Sequence, residues 1–146
     1  MVLSVVFLVL LSDQLTKFFI TRNLTLNESI PLIKGVLILT LVHNRGAAFG
    51  IFKGQFYLFI FISVATVIII YFILRKSKEG VAFSLSLSMI LGGALGNLID
   101  RLTLGYVVDF LDFHFWPVFN IADSAITIGA IILGWLLFKP ANKNVS

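Results

Sequence analysis

Apolar residues dominate four stretches of the chain, each long enough to cross a bilayer as a helix. A hydrocarbon core of about 30 Å requires roughly 20 helical residues. The predicted spans cover residues 2–20, 55–74, 81–99 and 121–138. The first is interpreted as a retained span and not as a cleaved signal, because no Lys or Arg precedes it and Asp13 and Lys17 lie in its continuation.

The segments between these stretches predict a small β-structured region on one side of the membrane. Two long connections, residues 21–54 and 100–120, lie opposite a short loop at 75–80. Residues 35–42 (GVLILTLV) are too short to span and rich in β-formers, and an Asn-Arg-Gly turn signal follows them. A small strand pair on the membrane surface is the simplest interpretation. The predicted fold is an all-α membrane protein with four transmembrane helices and a small extracytoplasmic β-structured loop region, in a single domain over residues 1–146.

Composition supports a membrane protein and excludes several kinds of chemistry. Hydrophobic residues make up 59% of the chain and charged residues 12%, whereas soluble domains average about half apolar and a quarter charged. Cysteine is absent, which excludes disulfides, thiolate metal sites and cysteine nucleophiles. The net charge of +4 is attributed to contact with the membrane surface and not to nucleic acid, because no basic stripe with interleaved aromatics is found.

The distribution of basic residues predicts the orientation of the chain. The 75–80 loop holds three basic residues in six and the tail holds Lys139 and Lys143, whereas the 100–120 connection holds only Arg101. Basic residues concentrate in short cytoplasmic loops, so both termini and the 75–80 loop are predicted to be cytoplasmic. Five of the seven acidic residues then fall at the extracytoplasmic interface: Asp13, Asp100, Asp109, Asp112 and Asp123.

Asp13 and Lys17 lie four residues apart and share a helix face. The simpler interpretation is an ion pair that neutralises itself and reaches the membrane interface. The alternative is a supporting pair that orients catalytic groups. A serine–lysine nucleophile is disfavoured, because Ser12 is five residues from Lys17 and on a different face.

Two glycines and a group of polar residues lie near the end of the third stretch. Gly92 and Gly96 have the spacing that lets a second helix approach closely. Asn97, Asp100 and Arg101 share a face, and an Asp–Arg pair at the helix end is the simpler interpretation. An unpaired Asn97 amide in hydrocarbon would be costly, so a partner is expected for it.

Asn120 and Asp123 begin the fourth stretch. The simpler interpretation is an N-cap followed by an acid in the first helical turn. The alternative is that Asp123 stays ionised while a more secluded acid holds a proton, as water activation requires. Asp109 is flanked by Val108 and Phe110 and is expected to be the more readily desolvated acid, and Asp112 is expected to matter less.

Metal chemistry has little support in the sequence. The only histidines, His43 and His114, are far apart, and no HExxH-type spacing occurs. Neither a metal site nor a cofactor is predicted.

Four blocks of sequence together resemble the lipoprotein signal peptidases, also called signal peptidase II. The blocks are DQLTK at 13–17, NRGAAFG at 44–50, GGALGNLIDR at 92–101, and a last block that runs from VVDF at 107–110 to FNIADS at 119–124. Their order on a four-span chain of this length makes the resemblance specific, and it covers nearly the whole chain.

The resemblance implies an aspartic endopeptidase that removes the signal peptide from bacterial prolipoproteins. Asp109 and Asp123 resemble the family's catalytic dyad. By this resemblance they would activate water for cleavage before a cysteine that carries diacylglycerol. The residues that resemble the family's substrate-binding and support residues are Asp13, Lys17, Asn44, Gly46, Asn97, Arg101 and Asn120. The resemblance further implies inhibition by globomycin, contact with membrane lipids, and a multi-pass place in the cytoplasmic (inner) membrane with the site toward the extracytoplasmic face. A monomer is expected.

Further expectations concern the mechanism. Asp123 is expected to be the base, and the 35–42 strand is expected to pair with the extended peptide around the cleavage site. Two other function classes stay open on the residues alone. An ion-coupled carrier would use intramembrane acids, and a membrane scaffold would use the close helix packing at Gly92 and Gly96.

Overall fold

A computed structural model of the protein describes residues 1–46, 55–76 and 80–139. The helices are α1 (Val2–Asn23), α2 (Phe56–Lys76), α3 (Val81–Leu104) and α4 (Ile121–Phe138). Within the described residues these four helices are long and apolar enough to cross a membrane. The four predicted helices are therefore confirmed, with α1, α2 and α3 extending past their predicted ends.

α3 is the central helix and packs against α1, α2 and α4. Its glycines make this possible. A Cβ at Gly92 would lie 2.9 Å from the Cβ of Val9 in α1, and one at Gly93 would collide with the carbonyl oxygen of Ala122 in α4. The predicted role of Gly92 in close helix packing is confirmed. α2 packs mainly against α3, and Ile70 is its buried residue.

Three strands form one antiparallel sheet in the order β1-β2-β3. They are β1 (Ser29–Ile33), β2 (Leu37–Asn44) and β3 (Val107–Asp112). The strand predicted at residues 35–42 corresponds to β2, but its predicted partner after the Asn-Arg-Gly turn lies outside the described residues, and β1 was not predicted. Residues 107–113 were left as a strand or turn. In the structure β3 completes the sheet, with Asp109 opposite Val42.

The prediction that the 35–42 strand pairs with substrate is wrong. β2 lies between β1 and β3, so its backbone groups over residues 37–42 already bond to the chain itself. A peptide adding to this sheet would need a different edge.

The sheet rests on the end of α1 through a small apolar cluster. Leu41 of β2, Val108 of β3 and Leu24 after α1 are buried together. Since successive residues in a strand point to opposite faces, this packing directs Asp109 to the other face, toward α3 and α4.

Some predictions concern residues outside the described ranges. These are Ala47–Gly50 of the second block, residues 77–79 of the basic loop, and Lys143 of the tail. The orientation of the chain stays a prediction.

Candidate active site

Nine residues that the sequence analysis assigned to a site come together beside the sheet. They are Asp13, Lys17, Asn44, Gly46, Asn97, Arg101, Asp109, Asn120 and Asp123. Hydrogen bonds, an ion pair or a shared cleft connect all of them. The roles that the resemblance implies for them stay predictions.

Asp109 of β3 is the more secluded of the two candidate catalytic acids, with 1% of its surface exposed. The Asn44 amide donates to its Oδ2 at 2.8 Å and the Asn120 amide donates to its Oδ1 at 2.7 Å. Burial first, and then the negative charge of Asp123, raise the pKa of Asp109 to about 7. The expectation that Asp109 is desolvated is confirmed.

Asp123 lies in the first turn of α4 and faces Asn97. The Asn97 amide donates to Asp123 Oδ1 at 2.8 Å. The backbone N–H of Asp123 donates to Asn120 Oδ1 at 2.8 Å, which confirms Asn120 as the N-cap. The Asn120 amide also donates to Asn97 Oδ1 at 3.1 Å. The N-cap residue Asn120 is therefore also part of the polar network. Asn120 and Asn97 together link Asp109 to Asp123 through hydrogen bonds.

A buried ion cluster supports this arrangement from α1. The Lys17 ammonium lies 2.8 Å from Asp13 Oδ2, 2.7 Å from Asp100 Oδ2 and 3.1 Å from Asn97 Oδ1. Both Asp13 and Lys17 are buried, so the interpretation of a self-neutralising pair at the membrane interface is wrong. An ammonium has three donors, and each has one acceptor here. The supporting-pair alternative fits the geometry.

Sequence reasoning missed two members of this cluster, Asp100 and Gln14. Asp100 was read as the partner of Arg101, but it pairs with Lys17 and accepts the Val108 N–H at 3.1 Å. The Gln14 amide donates to Asp13 Oδ2 at 3.1 Å and to Asp100 Oδ1 at 3.0 Å. Both residues stand inside the blocks that carry the family resemblance, which is the signal that could have found them.

Gly96 brings the ion cluster against α3. A Cβ at this position would lie 2.6 Å from Asp13 Oδ2. The other oxygen of Asp13 accepts the Ala122 N–H of α4 at 2.9 Å. One carboxylate thus joins α1, α3 and α4, so Gly96 serves the polar cluster as well as helix packing.

A cleft of about 260 Å³ opens beside the two acids. Asp109 and Asp123 both line it, as do the Arg101 side chain and residues from α2, α4 and the loop before α4. The lining is completed by Asn44, Gly46, Phe59, Asn97, Val107, Trp116, Pro117, Val118, Phe119 and Thr127. The Arg101 guanidinium lies 5.4 Å from the centre of the Phe59 ring. The arrangement can hold a peptide against two acids while contacting it with a cation.

Asp112 lies in a different environment. Its carboxylate accepts from Thr40 Oγ1 at 3.0 Å and from the His114 N–H at 2.8 Å. It does not line the cleft. Among the described residues, no group of three or more His, Cys, Asp or Glu side chains could hold a metal ion.

Comparison with known proteins identifies the family. A family model described as signal peptidase (SPase) II matches residues 5–139. A lipoprotein signal peptidase of Halothermothrix orenii is 51% identical over 133 residues, which cover 91% of this chain and 92% of that protein. One of Moorella thermoacetica is 51% identical over 137 residues, which cover 93% of this chain and 91% of that protein.

Solved structures agree with these sequence matches. A structure described as a bacterial membrane enzyme at 2.3 Å resolution has a TM-score of 0.92 and 34% identity, covering 99% of this chain and 92% of that chain. A second, described in the same words at 1.9 Å resolution, has a TM-score of 0.88 and 34% identity, covering 96% and 94%. With four span-capable helices among its described residues, the chain belongs to the signal peptidase II, or lipoprotein signal peptidase, family of bacterial multi-pass membrane proteases.

Proposed function

We propose that the protein is an aspartic endopeptidase that removes the signal peptide from diacylglyceryl-modified bacterial prolipoproteins. It cleaves before the lipidated cysteine, and Asp109 and Asp123 are its catalytic dyad. The observation that carries this proposal is that two acids from separate elements line one cleft and are joined through hydrogen-bonded amides. Family membership favours a protease over the carrier and scaffold alternatives.

The dyad shares one proton. Because the pKa of Asp109 is raised to about 7, Asp109 is assigned the shared proton below about pH 7, and Asp123 is assigned the negative charge of the pair. Asp123 takes a proton from water as the water oxygen attacks the scissile carbonyl carbon. Asp109 donates its hydrogen bond to the carbonyl oxygen. The C–N bond then breaks, and the leaving amine takes a proton from the dyad.

The supporting residues fix the positions of the two carboxyl groups. Gly46 donates its backbone N–H to Asn44 Oδ1 at 2.9 Å, which turns the Asn44 NH₂ group toward Asp109. Lys17 acts in the same way on Asn97, which faces Asp123. Lys17 acts from outside the cleft, whereas Asn44, Gly46 and Asn97 also line it.

The substrate enters sideways from the lipid. The cleft is lined by Phe59 of α2 and Thr127 of α4, while α2 packs mainly against α3. A signal helix lying in the bilayer can therefore reach the dyad between α2 and α4. Both termini are cytoplasmic and the site faces the extracytoplasmic side, where lipid-modified precursors emerge.

Cleavage of a lipidated prolipoprotein by the purified protein in liposomes tests the dyad. Asp109→Asn and Asp123→Asn are each expected to abolish cleavage, because either change removes the acid–base pair. Asp112→Asn is the matched control and should keep most of the activity, since its carboxylate lies outside the cleft. Globomycin should block the wild-type reaction. Near-normal turnover by either dyad variant would refute the assignment.

A further inference from the structure

A second, apolar groove lies directly beside the cleft. It has a volume of about 300 Å³ and runs between the loop before α4 and the α4 helix. Its lining is aromatic and aliphatic except at the end nearest the dyad. The lining residues are Phe113, Phe115, Trp116, Phe119, Asp123, Ser124, Thr127 and Ile128.

The groove is continuous with the cleft. Trp116, Phe119, Asp123 and Thr127 line both cavities. Asp123 therefore stands where the polar cavity passes into the apolar one. A molecule that reacts at the dyad can extend from one cavity into the other without leaving the protein surface.

The wall of the groove is fixed by the sheet. Phe119 and Leu111 exchange backbone hydrogen bonds, with N···O distances of 2.8 and 3.1 Å. The Phe113 ring stacks on the Phe119 ring with centroids 5.9 Å apart. Phe115 and Trp116 form an outer lip and are 83% and 56% exposed. Such a preformed apolar cavity lined by aromatic side chains is typical of a ligand site.

The chemistry of the proposed substrate identifies the occupant. In the reaction proposed above, the lipid is attached to the side chain of the residue whose amine leaves. Its acyl chains start about eight bonds from the reacting carbonyl carbon, through the cysteine side chain and the glycerol, so a groove that receives one must open close to the dyad. We propose that this groove binds one acyl chain of the lipid on the substrate cysteine. The inference rests on the proposed function and deepens it.

Another apolar groove, between α2 and α3, is similar in volume to the groove beside the cleft but is not connected to the cleft. It is lined by Val67, Ile68, Tyr71, Phe72, Leu91 and Leu95 of α2 and α3, with a volume of about 340 Å³. It is also apolar, but it shares no residue with the cleft. It does not reach the dyad, and so it supplies a matched control.

The test fills each groove with a tryptophan. Ile128 and Ile68 are both isoleucines, both 49% exposed, and each lines one of the two grooves. Cleavage of a series of lipopeptides, identical except for acyl-chain length, is measured in detergent with the wild type, Ile128→Trp and Ile68→Trp. Burial of each methylene is worth about fourfold in affinity. The wild-type kcat/KM should therefore rise with chain length until the groove is full.

Ile128→Trp is expected to lose that dependence. Against the longest chain it should lose about tenfold or more in kcat/KM, the equivalent of two methylenes, mostly through KM. Against the shortest chain it should match the wild type, and Ile68→Trp should follow the wild type throughout. An unchanged chain-length dependence in Ile128→Trp would overturn the groove while leaving the proposed function intact. Equal losses of kcat/KM in Ile128→Trp and Ile68→Trp would also overturn the groove and leave the proposed function intact. Failure of the wild type to cleave any lipidated substrate would instead overturn the proposed function.

If the Ile128→Trp protein is inactive on every substrate, a labelling experiment tests the groove instead. A lipopeptide with a photoreactive group at the end of an acyl chain is cross-linked to the Asp123→Asn protein, which should bind without cleaving. Labels within residues 113–119 or 124–128 support the groove. Labels confined to residues 67–72, or equal labelling of the groove by a photoreactive phospholipid, would mean ordinary lipid contact and overturn it.

Discussion

Replacing Asp109 by Asn should change how the stability of the protein depends on pH. In the native protein the pKa of Asp109 is raised from 3.8 to about 7, mainly by burial. The native state therefore holds a proton on this carboxyl over a pH range in which the unfolded chain has released it. The stability that this proton provides is complete below pH 4, is lost as pH rises toward 7, and stays lost above.

The magnitude follows from the size of the shift. One pKa unit corresponds to about 1.4 kcal/mol, so the whole shift amounts to roughly 4 kcal/mol. About 3 kcal/mol of this falls between pH 5 and pH 8. In Asp109→Asn this pH-dependent loss is absent, because an amide never takes on the buried negative charge that destabilises the wild type as the pH rises. The amide also faces two NH₂ donors, from Asn44 and Asn120, and loses one hydrogen bond at a cost of about 1–3 kcal/mol.

The effect of Asp109 ionisation can be separated from the effect of the lost hydrogen bond, because only the ionisation depends on pH. The melting temperature in detergent, measured from pH 5 to pH 8, should fall by several degrees more for the wild type than for Asp109→Asn. The variant should be the less stable protein at pH 5 and should equal or exceed the wild type at pH 8. Asp112→Asn, with its carboxylate outside the cleft, should keep the wild-type slope. Parallel curves for the wild type and Asp109→Asn would refute the reasoning.

Two further substitutions test the support of the site. Lys17→Met leaves two carboxylates buried without their cation and should cost about 3–5 kcal/mol, read as a fall in melting temperature together with loss of cleavage, whereas Lys34→Met at an exposed position should be neutral. Gly96→Ala places a methyl 2.6 Å from Asp13 Oδ2 and should cost about 1–3 kcal/mol with reduced kcat. Gly134→Ala, with open space around its Cβ, should be neutral or slightly stabilising; equal effects of the two alanines would contradict this account.

The spans were predictable because they depend on local hydropathy. A run of about 20 apolar residues can satisfy its backbone in lipid only as a helix, so the sequence of each run decides its structure. Only the ends were uncertain. α3 continues past residue 99 to Leu104 because Gly105, at a φ of +79°, provides the left-handed C-cap that ends it.

The sheet and the ion cluster were harder to predict because both depend on contacts between distant residues. The segment at 107–112 forms β3 because residues 37–44 lie beside it, and nothing local in either segment specifies that pairing. In the sequence, Asp13 lies four residues before Lys17 and is by itself enough to explain an ion pair for the lysine. Its second acid, Asp100, reaches it only because α1 and α3 pack closely. Local patterns therefore located the site residues, while helix packing decided their partners.

The site uses asparagine where a donor must point toward a carboxylate. An amide has an acceptor at one end and donors at the other, so fixing its oxygen fixes the direction of its NH₂ group. Asn44 accepts the Gly46 N–H and donates to Asp109. Asn120 accepts the Asp123 N–H and donates to Asp109. In both cases a backbone donor holds the oxygen, so the amide cannot turn around without losing a hydrogen bond.

Asn97 follows the same rule, but a charged side chain holds its oxygen. Lys17 and the Asn120 amide both donate to Asn97 Oδ1, at 3.1 Å each, and the Asn97 NH₂ then faces Asp123. A direct contact between the ammonium and the dyad would favour two ionised acids and remove the shared proton. Asn97 lies between the ammonium and Asp123, while Asp13 and Asp100 pair with the ammonium directly. In the proposed mechanism, Lys17 therefore orients Asn97 without contacting either catalytic acid. Within that mechanism, this arrangement lets a buried cation support an acid pair that keeps one proton.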